Sequence, residues 1–359
     1  LLDSILAIKL ADVGDVVLVT PALDSLRQAH PEARIDALVT PWSADLLRHT
    51  GLVDHLYLLD RHRIDALARR PAPSLLAYAL RVLAPLRGRY SAVLLFHHLT
   101  TPLGSLKHGL ITLSTGAALR VGLDNGRGWW FLNMREQDRG FGAKHEAEYW
   151  LSLAALLGAD PHSGRLRVGW GAEHHQRARQ LLLPLCRRPL VCIAPGTGSF
   201  APARRWPVEG FLQVARWIVE EGGGSVAVVG TATERPLGRH LADHLPPQHC
   251  LDLTGLTSLP ELAAIISLCD LYIGNDSGTT QVALAVGTPT VAIFGPSNVK
   301  AWGPFRTDAA QVVRMEGLAC SPCLYRSRSV GLRFGCSDRF CLTGLGAERV
   351  MAAAEALLK

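Results

Sequence analysis

The stretch Ile273-Gly-Asn-Asp-Ser-Gly-Thr-Thr-Gln281, followed by Val282-Ala-Leu-Ala-Val-Gly-Thr-Pro289, decides the fold. A short apolar strand, 270–274, runs into an acidic turn of small residues, and a helix of small residues leaves it. Asp276 or Ser277 is placed to cap that helix by accepting from its first free amides. Gly278 has no Cβ, so a ligand can lie directly against the backbone. The exposed N–H groups and the positive end of the helix dipole then favour an anion such as a pyrophosphate. An ordinary capped turn reads the same way, so a second site of similar logic is needed.

That site is Ile5-Leu-Ala-Ile-Lys-Leu-Ala-Asp-Val-Gly-Asp15-Val-Val-Leu-Val-Thr-Pro-Ala-Leu23. An apolar strand ends near Lys9, and the turn after it carries Asp12, Gly14 and Asp15. Val16, Val17, Thr20, Leu23, Leu26 and Arg27 fit helical spacing better than strand spacing, so a helix starts in the turn. Asp15 sits at the carboxyl end of the strand, the edge where open α/β sheets bind ligands. It is either an N-cap or a general base.

The rest of the chain repeats the pattern. Strand candidates are 4–9, 34–39, 56–59, 92–96 and 118–122, then 190–194, 225–230, 250–253, 271–274 and 290–294, with helical stretches between them. Short apolar strands separated by helices imply parallel, doubly covered sheets. Two such units in succession predict an α/β protein of two Rossmann-like domains facing a cleft. The boundary is expected between Gly158 and Arg188, where Asp160-Pro161-His-Ser-Gly164 and Gly169-Trp-Gly171 interrupt the pattern. No Gly-x-Gly-x-x-Gly follows the first strand, and Gly222-Gly-Gly224 precedes a strand and reads as a helix stop. A dehydrogenase fits poorly.

Composition narrows the class. A chain of 359 residues, 48% hydrophobic and 19% charged, builds globular cores of about two domains. No apolar run approaches the roughly 20 residues needed to span a bilayer, and the N-terminus reads as a first strand, so the protein is expected in the cytoplasm. Its net charge is +6. Basic residues cluster at Arg61, Arg63, Arg69, Arg70, Arg81, Arg87 and Arg89, around an apolar helical stretch, 74–86. That pairing suits an anionic membrane surface or a phosphorylated lipid, and equally a core helix with solvated arginines. Few aromatic residues and no interleaved basic–aromatic module argue against nucleic acid.

Taken together, the two turns resemble the glycosyltransferase family that contains the ADP-heptose:lipopolysaccharide heptosyltransferases, glycosyltransferase family 9. The resemblance runs over most of the chain. It includes Gly14-Asp15, Thr20-Pro-Ala-Leu23, Pro31-Glu-Ala-Arg-Ile-Asp-Ala-Leu-Val39, Ala118-Leu-Arg-Val-Gly-Leu123 and Lys144-His-Glu146. It continues in Pro195-Gly-Thr197, Arg204-Arg-Trp-Pro207, Asp276-Ser-Gly278, Pro289 and Phe294-Gly-Pro296.

The resemblance implies a GT-B fold. Residues 1–165 would form an acceptor-binding domain, 166–345 a nucleotide-sugar donor domain, and 346–359 a helix packing back on the first domain. It implies metal-independent transfer of a heptose or related sugar, from ADP-heptose above other donors, to a lipopolysaccharide core or similar glycolipid. The enzyme would be peripheral on the inner membrane and require no cofactor. Asp15 would be the general base, with Asp12 its competitor or an acceptor contact. Donor contacts would be Thr197, Arg204, Glu234, Asp276, Ser277, Gly278, Thr279 and Gln281, and acceptor contacts Asp12, His97, Lys107 and Arg120. Arg204 stands where relatives commonly carry lysine, Gln281 where they usually carry histidine, and His97-His98 where they often carry glutamine and glycine. A non-catalytic nucleotide or sugar-phosphate binding protein on the same scaffold is the alternative.

Eight cysteines remain to be placed. Cys186, Cys192, Cys250 and Cys269 lie in or beside apolar segments and read as buried core residues. Cys320, Cys323, Cys336 and Cys341 form a cluster opening with Cys-x-x-Cys. A structural zinc ion, a redox-dependent disulfide and free thiols in a tight loop all remain open. A zinc-containing nucleic-acid protein is discounted because the two-domain pattern leaves no place for it.

Overall fold

The computed structural model describes residues 2–67 and 72–359 of the chain; Arg69 and Arg70 of the basic cluster lie outside them. The chain divides into two compact units. The first comprises 1–140 and 146–167, and the second 141–145 and 168–359. The division after Arg167 lies between Gly158 and Arg188, two residues past 165, the expected last residue of the first domain. The difference is the short segment 141–145, which leaves the first half of the sequence to join the second unit.

The first unit is built on six strands: β1 (Ser4–Lys9), β2 (Arg34–Val39), β3 (His55–Leu58), β4 (Ala92–Leu95), β5 (Leu119–Asp124) and β6 (Met134–Gln137). Every neighbouring pair is parallel, and the order across the sheet is β3-β2-β1-β4-β5-β6. Helices cover the faces, so the central strands read as near-continuous apolar runs rather than alternating ones. Ile5, Leu6, Ile8 and all of β4 are fully buried. Leu6, Ile8, Leu38, Val93 and Leu95 share one core with Leu86, Ile111, Phe131 and Leu132.

The second unit repeats the plan with β7 (Leu190–Ala194), β8 (Ser225–Val228), β9 (Cys250–Asp252), β10 (Leu271–Asn275), β11 (Thr290–Ile293) and β12 (Ala310–Val313). Again all pairs are parallel, and the order is β12-β11-β10-β7-β8-β9. In both sheets the first strand of the unit lies beside the fourth, so the winding direction reverses between them. That topological switch point leaves a crevice at the carboxyl ends of the two strands, where ligands of such sheets bind. Both α/β sheets are Rossmann-like, the fold expected of the two halves. A small hairpin, β13 (Leu324–Arg326) with β14 (Ser329–Gly331), is appended.

Two expectations are corrected. The C-terminal helix Ala347–Leu358 does not return to the first unit. It packs on the helix Val208–Glu220 and beside β10, β11 and β12. Val350, Ala353 and Ala354 enter the same core as Phe211, Ile218 and Val291, so its apolar stripe is matched within the second unit. Cys186 is exposed, while Cys192, Cys250 and Cys269 are buried as expected. It lies just beyond the helix Ala172–Leu182, next to the exposed Leu183, where the apolar pattern no longer faces a core.

Candidate active site

At the switch point of the second sheet, β7 leads into Pro195-Gly196-Thr197 and β10 into Asp276-Ser277. Asn275, fully buried, ties these segments together. Its Nδ2 donates to the carbonyls of Pro195 (2.9 Å) and Gly196 (3.3 Å), and its Oδ1 accepts from the Trp206 N–H (2.9 Å). Trp206 is itself buried, with its indole N–H on the Leu345 carbonyl at 3.0 Å. The short 3-10 turn Pro202–Arg204 is thereby fixed beside the turn, and Arg204 Nη1 lies 3.4 Å from Asp276 Oδ2.

The hydroxyls of this turn are occupied among themselves. Ser277 Oγ meets Thr279 Oγ1 at 2.8 Å, Tyr272 Oη meets Thr279 Oγ1 at 2.8 Å, and Thr280 donates to the Asn275 carbonyl at 2.5 Å. Ser277 stands at the N-cap of the helix Gly278–Val286, yet its side chain makes no capping bond. The expectation that Asp276 or Ser277 caps the helix is therefore corrected. Both side chains are drawn away, Asp276 to Arg204 and Ser277 to Thr279, and among the described residues no side chain accepts from the helix's first amides. A helix end left so, with a cation delivered beside it, is an anion site in waiting.

The other expected donor contacts are close by in the chain's folding, with different local duties. Glu234 is buried, so it is no solvated surface residue. Its carboxylate accepts from the N–H of Gly198 (2.8 Å), the N–H of Thr231 (2.8 Å) and the Thr231 hydroxyl (3.0 Å). A Cβ on Gly196 would fall 1.9 Å from Glu234 Oε1, which explains the glycine in that loop. Glu234 thus shapes the Pro195-Gly196-Thr197 loop from beneath. Thr197 is buried in that loop. Gln281 is also buried; its Nε2 donates to the Trp302 carbonyl at 2.8 Å, and its Oε1 has no partner among the described residues.

The first unit's switch point lies between β1 and β4. Here the Leu10 N–H donates to His97 Nε2 at 2.7 Å, so this imidazole is neutral. Desolvation, then the nearby His108 and Lys9 charges, hold its pKa well below the ordinary value. Lys9 is buried at the end of β1, its Nζ 3.7 Å from Asp15 Oδ1 and 4.3 Å from the centre of the Trp150 ring. The Asp15 side chain keeps 34% of its surface exposed. A half-exposed carboxylate oriented by a buried lysine at a sheet's ligand edge can take a proton from a bound hydroxyl. Asp12 is engaged by Arg61 Nη2 at 2.7 Å and by the Trp42 indole, which donates at 3.3 Å. Arg120 directs its guanidinium to the carbonyls of Phe131 (2.7 Å) and Ala117 (2.8 Å), where it ties β5 to the segment before β6. Lys107 lies on the helix Pro102–Ser114 and is half-buried.

One group was not legible in the sequence. His98, next to His97, is clamped between Asp138 Oδ1 at 3.0 Å and Glu146 Oε1 at 3.1 Å, and both carboxylates are buried. Burial opposes charging the ring, but Glu146 and Asp138 outweigh it and push the His98 pKa up to about 9. It is an imidazolium at neutral pH. Asp138 follows β6, a polar edge strand with no apolar run to announce it.

The cysteine cluster lies in the second unit. Its four thiols are free. Burial, then the neighbouring thiols of the cluster, raise the pKa of Cys323 and of Cys341.

A sequence model of glycosyltransferase family 9 (heptosyltransferase) matches residues 86–332. The chain belongs to this family. Lipooligosaccharide heptosyltransferase 2 of Haemophilus influenzae is 33% identical over 134 residues, 36% of this chain and 38% of that protein. The match thus spans little more than a third of that relative's length. Lipooligosaccharide heptosyltransferase 2 of Haemophilus ducreyi is 23% identical over 85% of this chain and 87% of its own. Among solved structures, Escherichia coli ADP-heptose lps heptosyltransferase II superposes with a TM-score of 0.75 at 22% identity, covering 99% of this chain and 98% of that one. E. coli heptosyltransferase WaaC with ADP gives 0.72 at 18% identity, covering 99% of both. At these identities the structures establish the fold, which is GT-B. The family 9 match itself takes in Arg204, Glu234 and the turn 276–281, and it begins after Asp15.

Proposed function

We propose that this family 9 chain transfers a heptose from ADP-heptose to a lipopolysaccharide core or similar glycolipid, at the cytoplasmic face of the inner membrane. The carrying observation is the uncapped helix Gly278–Val286 with Arg204 brought to its first turn. A nucleotide diphosphate leaving group develops negative charge as the sugar departs. Free amides and a guanidinium stabilise that charge without reorganising when it forms. The names of two relatives, one an ADP-heptose transferase and one held with ADP, support adenine as the base.

In this reading Asp15 of the first unit accepts the proton of the acceptor hydroxyl. The hydroxyl oxygen attacks the anomeric carbon of the donor, the bond from that carbon to the phosphate oxygen breaks, and ADP departs. Lys9 positions Asp15. Arg204 and the amides of 278–280 receive the diphosphate, while Glu234, Thr197 and Gly196 shape the loop on its other side. Gln281, held by the Trp302 carbonyl, can offer the donor no charge. The electrostatic role of a histidine there passes to Arg204. Asp12, His97 and Lys107 remain our candidates for the acceptor side, and Arg120 acts there through the fold of 131–133. Retention of Asp15 at the strand edge disfavours the non-catalytic alternative.

A calorimetric titration with ADP, GDP, UDP and CDP tests the donor half. Selective binding of ADP, weakened about 10- to 100-fold in Arg204→Ala by loss of a charged hydrogen bond, is expected. Preference for another base would replace the donor, and an unchanged Kd in the variant would remove Arg204 from the site.

A further inference from the structure

The helix Pro102–Ser114 of the first unit is turned inside out by ordinary standards. Its buried face carries Ser105, Gly109, Ile111 and Thr112. Its outward face carries Leu103, Leu106, Leu110 and Leu113, exposed by 75%, 49%, 57% and 41%. Spacings of three, four and three residues align these leucines in one stripe along the helix. A surface helix would ordinarily show charge there.

The stripe does not stand alone. Trp129 and Trp130 are exposed on the loop before Phe131, by 69% and 36%. Trp130 lies against the helix, because a Cβ on Gly109 would fall 2.3 Å from its ring. The Ser105 hydroxyl, donating to the Arg127 carbonyl at 2.5 Å, fastens the same loop to the helix. Four exposed leucines on the helix and two exposed tryptophans on the loop fastened to it are more uncovered apolar side chain than one helix and its neighbouring loop ordinarily leave without use.

Charge identifies its occupant. No Asp or Glu occurs between Asp65 and Asp124, a stretch that carries Arg81, Arg87, Arg89, Lys107 and Arg120. Lys107 on the helix and Arg127 in the tryptophan loop set lysine and arginine among leucine and tryptophan, the chemistry of a surface that lies in a bilayer interface. Anionic headgroups attract such basic residues at close range.

We propose that the leucine stripe 103–113, with Trp129 and Trp130, docks the first unit on an anionic lipid bilayer. The idea rests on the reading of the acceptor as a membrane glycolipid. It moves the membrane contact from the stretch 74–86 to this helix. The test is co-sedimentation with vesicles of phosphatidylglycerol and phosphatidylethanolamine, against phosphatidylcholine alone, for the wild type and for Leu106→Glu/Leu110→Glu. Both leucines are exposed, so the double variant should fold, with unchanged melting temperature and ADP affinity. The wild type should bind the anionic vesicles, more weakly at high salt, and the variant at least tenfold less. Absence of wild-type binding, or equal binding by both proteins, overturns the proposal. So does a concentration-dependent dimer in gel filtration that the variant loses while neither protein binds vesicles. Transfer to a water-soluble acceptor stripped of its acyl chains separates this idea from its foundation. That activity should survive in the variant, and its absence from the wild type would sink the proposed reaction while leaving the vesicle result intact.

Discussion

At the residue scale the site depends on a few charges held by their neighbours. His98 is the clearest case. Its pKa, raised from the ordinary histidine value to about 9, means that the folded state binds its proton more tightly than the unfolded chain. The stabilisation is fully present below pH 6.5 and is lost as pH rises through about 9. The melting temperature should therefore fall between pH 8 and 10 in the wild type. His98→Gln should leave two buried carboxylates without their cation, cost about 3–5 kcal/mol at pH 7, and flatten that alkaline slope. Thermal melts across the pH range check both statements; a slope as steep in the variant would contradict them. Asp15 and Ser277 could be singled out in the sequence because each follows a recognisable strand end, and Arg204 because it stands before Trp206-Pro207 as a basic residue does in the family it resembles. The His98 clamp could not, since its partners lie 40 and 48 residues further on, and only the fold brings them together. Asp276 was legible as a residue and misread as a cap, because the pull of Arg204 is a tertiary effect.

Elements explain why the second unit's turn has the shape it has. The Pro195-Gly196-Thr197 loop rests on Glu234, and no side chain fits between them. Gly196→Ala should displace either the loop or the carboxylate and cost about 1–3 kcal/mol by overpacking. ADP affinity should drop with it, since Gly198 loses its acceptor. Denaturant melts and an ADP titration measure the two effects, and a variant as stable and as tight-binding as the wild type would show that the contact does not shape the site. Long apolar strands such as β1, β2 and β7 were readable to the residue, because doubly covered parallel strands are continuous apolar runs. Edge strands β6 and β12 were not. Met134-Arg-Glu-Gln137 is mostly polar, and Ala310-Gln-Val-Val313 is too short to stand out from the loop before it.

At the scale of the whole molecule, the same strand order appears twice, and each half places its chemistry at its own switch point. Both halves were legible from alternating strands and helices, while the affiliation of the C-terminal helix was not. Amphipathic spacing in Ala347–Leu358 says that one stripe is buried, and only the structure shows that Phe211, Ile218 and Val291 receive it. Val350→Asp would bury a charge in that core and should cost several kcal/mol. Its cost should appear as lost stability and lost ADP binding together, whereas unchanged ADP binding would place the helix outside the second unit's core.

The role we propose for Asp15 is to accept the proton of the acceptor hydroxyl as the sugar leaves its donor. It is tested most directly by following ADP release from ADP-heptose in the presence of a lipopolysaccharide core acceptor, for the wild type and for Asp15→Asn. Turnover should fall about 10²- to 10⁴-fold in the variant while its Kd for ADP stays the same. Turnover at the wild-type rate in Asp15→Asn would contradict the assignment of the base, and no turnover in the wild type would contradict the reaction itself.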